Sequence, residues 1–386
     1  MRLSDTLTLR DLEIRNRIWL PPMCQYQASG RDGIPRSWHM VHYGARAAGG
    51  FGLIIAEASG VVPEGRISPF CAGIWSDEHA KAWAPIVDFA HEMGAKMGIQ
   101  LGHAGRKAST YPMLPDNKGR GTVPPEEGGW ETLGPSAIAA DGQAVPRAMT
   151  LEEVWAVPGQ FAQAAKHAVD AGFDLVEIHG AHGYLLHQFL SPMSNQRDDE
   201  YGGDFDGRTR LLREVVDAVR AAIPEGMPLL VRLSATDWVE PDGWRAEDSE
   251  RLAPLLAEAG VDLIDVSTGG NVPADIPAAP GYQVDFARRV REAAGLPTAA
   301  VGMLVDATQT QAILDREEAD AVLIGRAALR NAEWAIDALR ELGVAPAKLP
   351  YPDSYFRGWD RAALSAKSVE IVVSPNDWNA NHWGSP

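Results

Sequence analysis

Short apolar runs recur along the chain, each followed by a longer stretch in which apolar positions return every three or four residues. Eight such runs lie at residues 17–23, 52–58, 96–101, 174–178, 228–233, 262–266, 298–301 and 321–324. Their length and β-branched content predict buried strands. The intervening spacing predicts helices over 38–48, 77–93, 151–171, 209–223, 246–259, 283–294, 307–314 and 327–342. Thr150, three residues before Glu153, reads as a capping box, and Asp306 as an N-cap. Gly260 and Gly295 stand where helix C-termini are expected.

Strand and helix alternating eight times imply a parallel sheet. Closing that sheet gives an α/β fold of the (β/α)8 TIM-barrel type, whose usual size fits a chain of 386 residues with room for insertions. A doubly wound sheet is the alternative, but it carries a glycine-rich dinucleotide turn after its first strand. Here that turn is Pro21-Pro22-Met23-Cys24. We therefore expect one barrel over residues 1–359. Residues 107–147, rich in Pro and Gly and without periodicity, read as a capping insertion after the third strand. Residues 360–386 read as a polar C-terminal extension with one β-like run at 369–373.

Composition adds exclusions. A hydrophobic fraction of 45% and a charged fraction of 23% are those of a globular protein. A formal net charge of −17 argues against nucleic acid or an anionic membrane surface as partner. The two cysteines, Cys24 and Cys71, are too few for a disulfide framework. The N-terminal residues lack the apolar core of a signal peptide, and no apolar run reaches the ~20 residues of a membrane helix. A cytoplasmic location is the expectation.

Barrel enzymes build their sites at the C-terminal ends of the strands. Those ends carry Met23-Cys24-Gln25-Tyr26, Glu57-Ala58, Gln100 to His103, His179 to Tyr184, Arg232, Ser267 to Gly270, Gly302 and Gly325-Arg326. His179 and His182 can donate hydrogen bonds to one oxygen, and Tyr184 can deliver a proton. Gly302, Gly325 and Arg326 end the last two strands, the usual phosphate position of such barrels, where glycine backbone and a guanidinium suit an anion. Gln100 and Arg232 interrupt apolar strands, so a bound polar partner is expected for the buried cation. Phosphate site, cation and amide facing one cavity suit flavin mononucleotide.

These blocks resemble the Old Yellow Enzyme family of FMN-dependent ene-reductases. They look most like its bacterial branch with a cysteine at the end of the first strand. The resemblance is carried by Pro21 to Tyr26, Trp38-His39-Met40-Val41-His42-Tyr43, Gly73 to His79, Ile99 to Lys107, His179 to Tyr184, Ser191 to Gly203 and Ile324-Gly325-Arg326. It implies that Pro21, Pro22, Met23, Cys24, Ala58, Gln100, Arg232, Gly302, Gly325 and Arg326 hold FMN. Cys24 would tune the flavin potential and would not act as a nucleophile. His179 and His182, helped by Tyr26, would bind the carbonyl oxygen of an activated alkene, and Tyr184 would donate the proton. Lys107 would lie near the substrate, and Arg357 would reach the active site of the neighbouring subunit in a homodimer. NADPH or NADH would be the transient co-substrate, and enones, enals and maleimide-like compounds the substrates. Relatives of this branch finish close to Arg357-Gly358-Trp359, whereas this chain continues through residue 386.

Three competitors are separable. A metal-dependent hydrolase using His179 and His182 would want further His, Asp or Glu at neighbouring strand ends, which offer Cys24, Gln100 and Arg232 instead. No metal is expected. A Schiff-base lyase needs a lysine inside the barrel, and residues 262–266 contain none. A flavin-binding protein without catalysis would retain flavin and show no turnover.

Overall fold

The structure, a computed structural model, describes residues 1–116 and 119–359. The expected extension at 360–386, with its β-like run, lies outside the described residues. Eight parallel strands close a barrel. They are β1 (Ile18–Leu20), β2 (Leu53–Gly60), β3 (Lys96–Gly102), β4 (Leu175–Gly180), β5 (Leu229–Ser234), β6 (Leu263–Ser267), β7 (Thr298–Ala300) and β8 (Ala321–Leu323). Each pairs with the next, and β8 closes on β1 through Val322 opposite Ile18 and Leu323 opposite Trp19.

Each strand is buried along its whole length apart from one half-buried residue, Lys96. Two faces must therefore be covered, one by helices and one by the barrel interior. The outer face meets α1 (Ser37–Ala48), α2 (Asp77–Glu92), α3 (Leu151–Asp170), α4 (Leu185–Leu190), α5 (Phe205–Ala222), α6 (Ala246–Glu258), α7 (Val284–Ala294) and α8 (Ala307–Asp315). The inner face packs Trp19, Leu53, Ile55, Leu175, Leu230, Leu263, Ala299, Ala321 and Leu323 into one apolar cluster. Leu9, Leu12 and Ile14 join that cluster from an N-terminal hairpin, Leu7–Leu9 with Leu12–Ile14, which stops the barrel at the end opposite the site. Strands of three residues are too short to leave a periodic signal, so the pattern of the chain does not announce this plug.

The caps form as expected. Glu153 N–H donates to Thr150 Oγ1 at 3.2 Å while Thr150 N–H donates to Glu153 Oε2 at 2.8 Å. Asp306 accepts from Gln309 N–H at 2.8 Å, and Gly295 ends α7 in the left-handed region. Two helix expectations need correction. The helix placed at 209–223 starts at Phe205, because Asp204 accepts from Gly207 N–H at 3.0 Å and sets an earlier cap. The single helix placed at 327–342 is two, α9 (Arg326–Arg330) and α10 (Trp334–Glu341). Asn331 leaves helical geometry between them, and its side-chain oxygen accepts from Glu333 N–H at 2.9 Å, competing with the backbone ladder. No helix of the described residues is long and apolar enough to cross a membrane.

Candidate active site

The end of β4 and the turn after it carry the chemistry. His179 is the last but one residue of β4, and Tyr184 is the N-cap of α4. The turn between them is held from both sides. His187 Nδ1 accepts from Gly183 N–H at 2.9 Å, and Gln188 Nε2 donates to the Gly183 carbonyl at 2.7 Å. Across the turn, Gly183 and Gly270 adopt positive φ of 70° and 88°. A Cβ on Gly183 would stand 2.4 Å from the Gly270 oxygen, so only glycine lets the two backbones approach. Lys107 Nζ ties the same pair, donating to the His182 and Gly270 carbonyls at 2.8 and 2.9 Å. The result is a rigid perch for His182, itself at φ 58°.

The three rings converge. The His179 and His182 centroids lie 5.3 Å apart, and those of His179 and Tyr184 4.9 Å apart, both edge to face. Ala181 N–H donates to His179 Nδ1 at 3.3 Å, which leaves Nε2 to carry the proton of the neutral ring. Burial, then the charge of Arg232, pushes both imidazoles well below the usual histidine range, so both rings are neutral donors near neutral pH. Burial pushes the Tyr184 phenol well above its ordinary value, so its proton stays on. Lys107 Nζ lies 5.0 Å over the Tyr184 ring, and burial, then Arg106, brings its amine down to about 8.

Two cavities adjoin this constellation. One, of about 660 Å³, is lined by Tyr26, Lys107 and Tyr184 at its floor and by Thr110 to Pro115 and Gly119 to Gly121 of the insertion at its walls. The other, of about 220 Å³, is lined by Pro21, Pro22, Met23, Arg232, Gly302, Gly325 and Arg326. Its residues fit FMN. Gly302 has φ 124°, a conformation side chains rarely adopt, and Gly325 lines the cavity with backbone, a Cβ there lying in ordinary contact with Met23 and Pro21 at 3.7 Å. Exposed Arg326 supplies a cation at the mouth. Seven of the ten candidate FMN residues thus assemble from β1, β5, β7 and β8, with Ala58 at the adjoining end of β2 beside His179 and Tyr184, whereas Cys24 and Gln100 line neither of these two cavities.

Some placements differ from expectation. The buried Arg232 was expected to need a bound polar partner, but Asp265 of the neighbouring strand provides one, with Nε 3.1 Å from Oδ2. The Gln100 amide likewise donates to Glu177 Oε1 at 2.7 Å. Both carboxyls sit inside apolar runs, where the sequence offers no signal except an acid interrupting the pattern. Ser267, the last residue of β6, contacts His182 Nε2 at 2.8 Å, a role that its place at a strand end does not reveal. Cys24 meets Cys71, and their sulfurs and a Glu57 oxygen lie within 4.8 Å of one another. Cys71, then burial, raises the Cys24 thiol well above its ordinary value, which keeps it protonated and a poor nucleophile. Arg357 lies exposed on the short helix Phe356–Trp359, beyond α10.

Comparison with known proteins settles the family. The profile of the NADH:flavin oxidoreductase / NADH oxidase family matches residues 3–342. The chain belongs to that family, that of Old Yellow Enzyme. It is 45% identical over 353 residues to an NADPH dehydrogenase of Geobacillus thermodenitrificans, covering 91% of this chain and 97% of that one. It is also 45% identical to an NADPH dehydrogenase of Bacillus subtilis, covering 93% and 99%. Among solved structures, morphinone reductase superimposes with a TM-score of 0.74 at 30% identity, covering 92% of each chain. The Old Yellow Enzyme homologue of Zymomonas mobilis gives 0.74 at 28% identity, covering 93% and 99%. The protein is accordingly an FMN-dependent NAD(P)H oxidoreductase on a TIM barrel.

Proposed function

We propose that this oxidoreductase reduces the C=C bond of α,β-unsaturated carbonyl compounds, including enones, enals and maleimides. The observation that carries this reading is the convergence of two neutral imidazoles and a protonated phenol at the end of β4. FMN, when bound, supplies the hydride chemistry that connects NAD(P)H to the alkene. Gly302, Gly325 and Arg326 would hold its phosphate, and Pro21, Pro22, Met23, Cys24, Ala58, Gln100 and Arg232 its ring and ribityl chain. His179 and His182 bind the carbonyl oxygen, as an oxyanion hole does, and so polarise the alkene. Tyr184 then protonates the α-carbon, a contribution of about 10²–10⁴ in rate for a well-placed donor. Tyr26 and Lys107 border the substrate, and the 107–147 insertion caps it.

Anaerobic stopped-flow of the two half-reactions tests this. Tyr184→Phe is expected to leave reduction by NADPH unchanged and to slow reoxidation by cyclohexenone at least a hundredfold. Equal slowing of both halves, or reoxidation at full rate, removes Tyr184 from the role of proton donor.

A further inference from the structure

Inside the barrel the apolar layer gives way, on the side of the site, to a polar one. Strand register places Gln100 beside Glu177, and Arg232 beside both His179 and Asp265. Glu177 and Asp265 are wholly buried and within hydrogen-bonding reach of each other. Glu177 Oε1 accepts from Gln100, yet Glu177 Oε2 and both Asp265 oxygens receive no hydrogen bond. Arg232 Nε, although 3.1 Å from Asp265, is misaligned for one. Three buried acceptor oxygens of the two carboxyls thus receive no hydrogen bond, and the Arg232 cation approaches one of them without aligning. A buried acceptor left unpaired costs about 1–3 kcal/mol, and a charged one more.

We propose that Glu177 and Asp265 share one proton, and that this carboxyl pair is the positioning element that orients Gln100 and Arg232 toward the flavin. One bound proton satisfies a facing pair of oxygens and makes the cluster of one guanidinium and two carboxyls neutral. Without it a net negative charge would be buried inside the barrel, where desolvation is costly. The groups that face the pair are Gln100 from β3, His179 from β4 and Arg232 from β5; β7 contributes Ala299 opposite Asp265. Burial raises both carboxyls, and the charge of Asp265 raises Glu177 further, against the pull of Arg232. Asp265, paired with Arg232, therefore stays ionised and Glu177 holds the proton. Its Oε1 remains the acceptor for the Gln100 amide, and Asp265 holds the guanidinium from below. Ionising Glu177 would add one negative charge to the layer and would lower the potential of a flavin bound at the neighbouring cavity. The flavin consequence rests on the placement proposed above, whereas the shared proton does not.

Infrared spectroscopy of the apoprotein tests the proton itself. The wild-type apoprotein is expected to show the carbonyl band of a protonated carboxyl that shifts in D2O, and Glu177→Gln, an isostere of the protonated acid, to lose it. Labelling the wild type with 13C-glutamate should shift the same band, which keeps the test within an unaltered chain if the variant fails to fold. A band that persists in a folded Glu177→Gln protein, or that ignores the label, overturns the proposal. In the FMN-loaded protein the midpoint potential should bend downward with rising pH in the wild type and lose that bend in Glu177→Gln. The same bend in both proteins, with the infrared band lost, would show a proton that does not act on the flavin and would overturn the positioning role.

Discussion

The hydroxyl of Ser267 stands 2.8 Å from Nε2 of His182 and 3.3 Å from Oε1 of Gln283. Its one proton can go to Nε2 of His182 or to Oε1 of Gln283, and that choice sets which ring nitrogen of His182 carries the proton. His179 has its Nδ1 occupied by Ala181 N–H. The tautomer of each histidine is thus coupled to a neighbour. Ser267→Ala should release the His182 tautomer and weaken phenol binding several-fold, about the worth of one neutral hydrogen bond. Titration of the flavin absorption band with 4-hydroxybenzaldehyde reads this directly, and unchanged affinity would show that Ser267 does not select the tautomer.

His179→Ala and His182→Ala should each weaken the same phenol by roughly 1.5–3 kcal/mol, the cost of losing one donor to a charged oxygen. The two losses should not add, because each ring packs on the other and truncating one frees its neighbour. Full-strength phenol binding in both variants would place the carbonyl oxygen elsewhere.

Gly302 offers a test of the cofactor end. Its φ is 124°, and a Cβ added there would stand 2.9 Å from the Gln283 amide nitrogen, so Gly302→Val both strains the backbone and crowds the cradle. FMN affinity should fall tenfold or more, since about 1.4 kcal/mol is one decade. Flavin retained through gel filtration at wild-type stoichiometry and affinity would remove Gly302 from the phosphate site.

Lys107 gives a pH signature. Burial brings its amine down to about 8, so the ammonium that holds the His182 and Gly270 carbonyls loses its charge as pH rises through that value. The charged form makes the stronger hydrogen bonds, so kcat/KM for the alkene should fall on the alkaline side with a midpoint near 8. Lys107→Met should show a lower value without that limb. For stability the sign is opposite. An amine depressed in the folded chain binds fewer protons than in the unfolded chain, so between about 8 and its ordinary value stability gains with pH.

How much of this is legible in the sequence depends on whether the signal is local. The strand ends fall within two or three residues of their expected places because each run is bounded by a turn, and His179 to Tyr184 stand out because they follow such a run at once. Asn331 breaks the last helix without a Gly or Pro to announce it. Glu177 and Asp265 are single acids inside Leu-Val-Glu-Ile and Leu-Ile-Asp-Val, and their meeting depends on barrel closure, which no local pattern encodes. Cys24 and Cys71 meet because β1 pairs with β2 and the loop after β2 folds back, which no local pattern encodes either. Ser267 looks like any strand-end serine until β6 is placed beside the turn after β4.

Arg357 carries the last prediction. It sits exposed on the helix Phe356–Trp359, past the final helix of the barrel, and it is flanked in sequence by Tyr355, Phe356 and Trp359. Arginine among aromatics is the composition of an interface anchor. The chain is expected to form a homodimer in which Arg357 of each subunit completes the substrate site of the other. Arg357→Ala should then raise KM for the alkene with FMN fully retained. Mixing it with Tyr184→Phe provides the decisive measurement. In the mixed dimer one site would hold both defects and the other neither, so at substrate well below the raised KM activity should exceed the mean of the two parents. Mixed dimers, verified by mass spectrometry, that show only the mean of the two parents would return Arg357 to its own barrel. In that case KM should rise through a contact within the subunit, and diluting the protein below its dissociation constant would leave the Arg357→Ala effect unchanged.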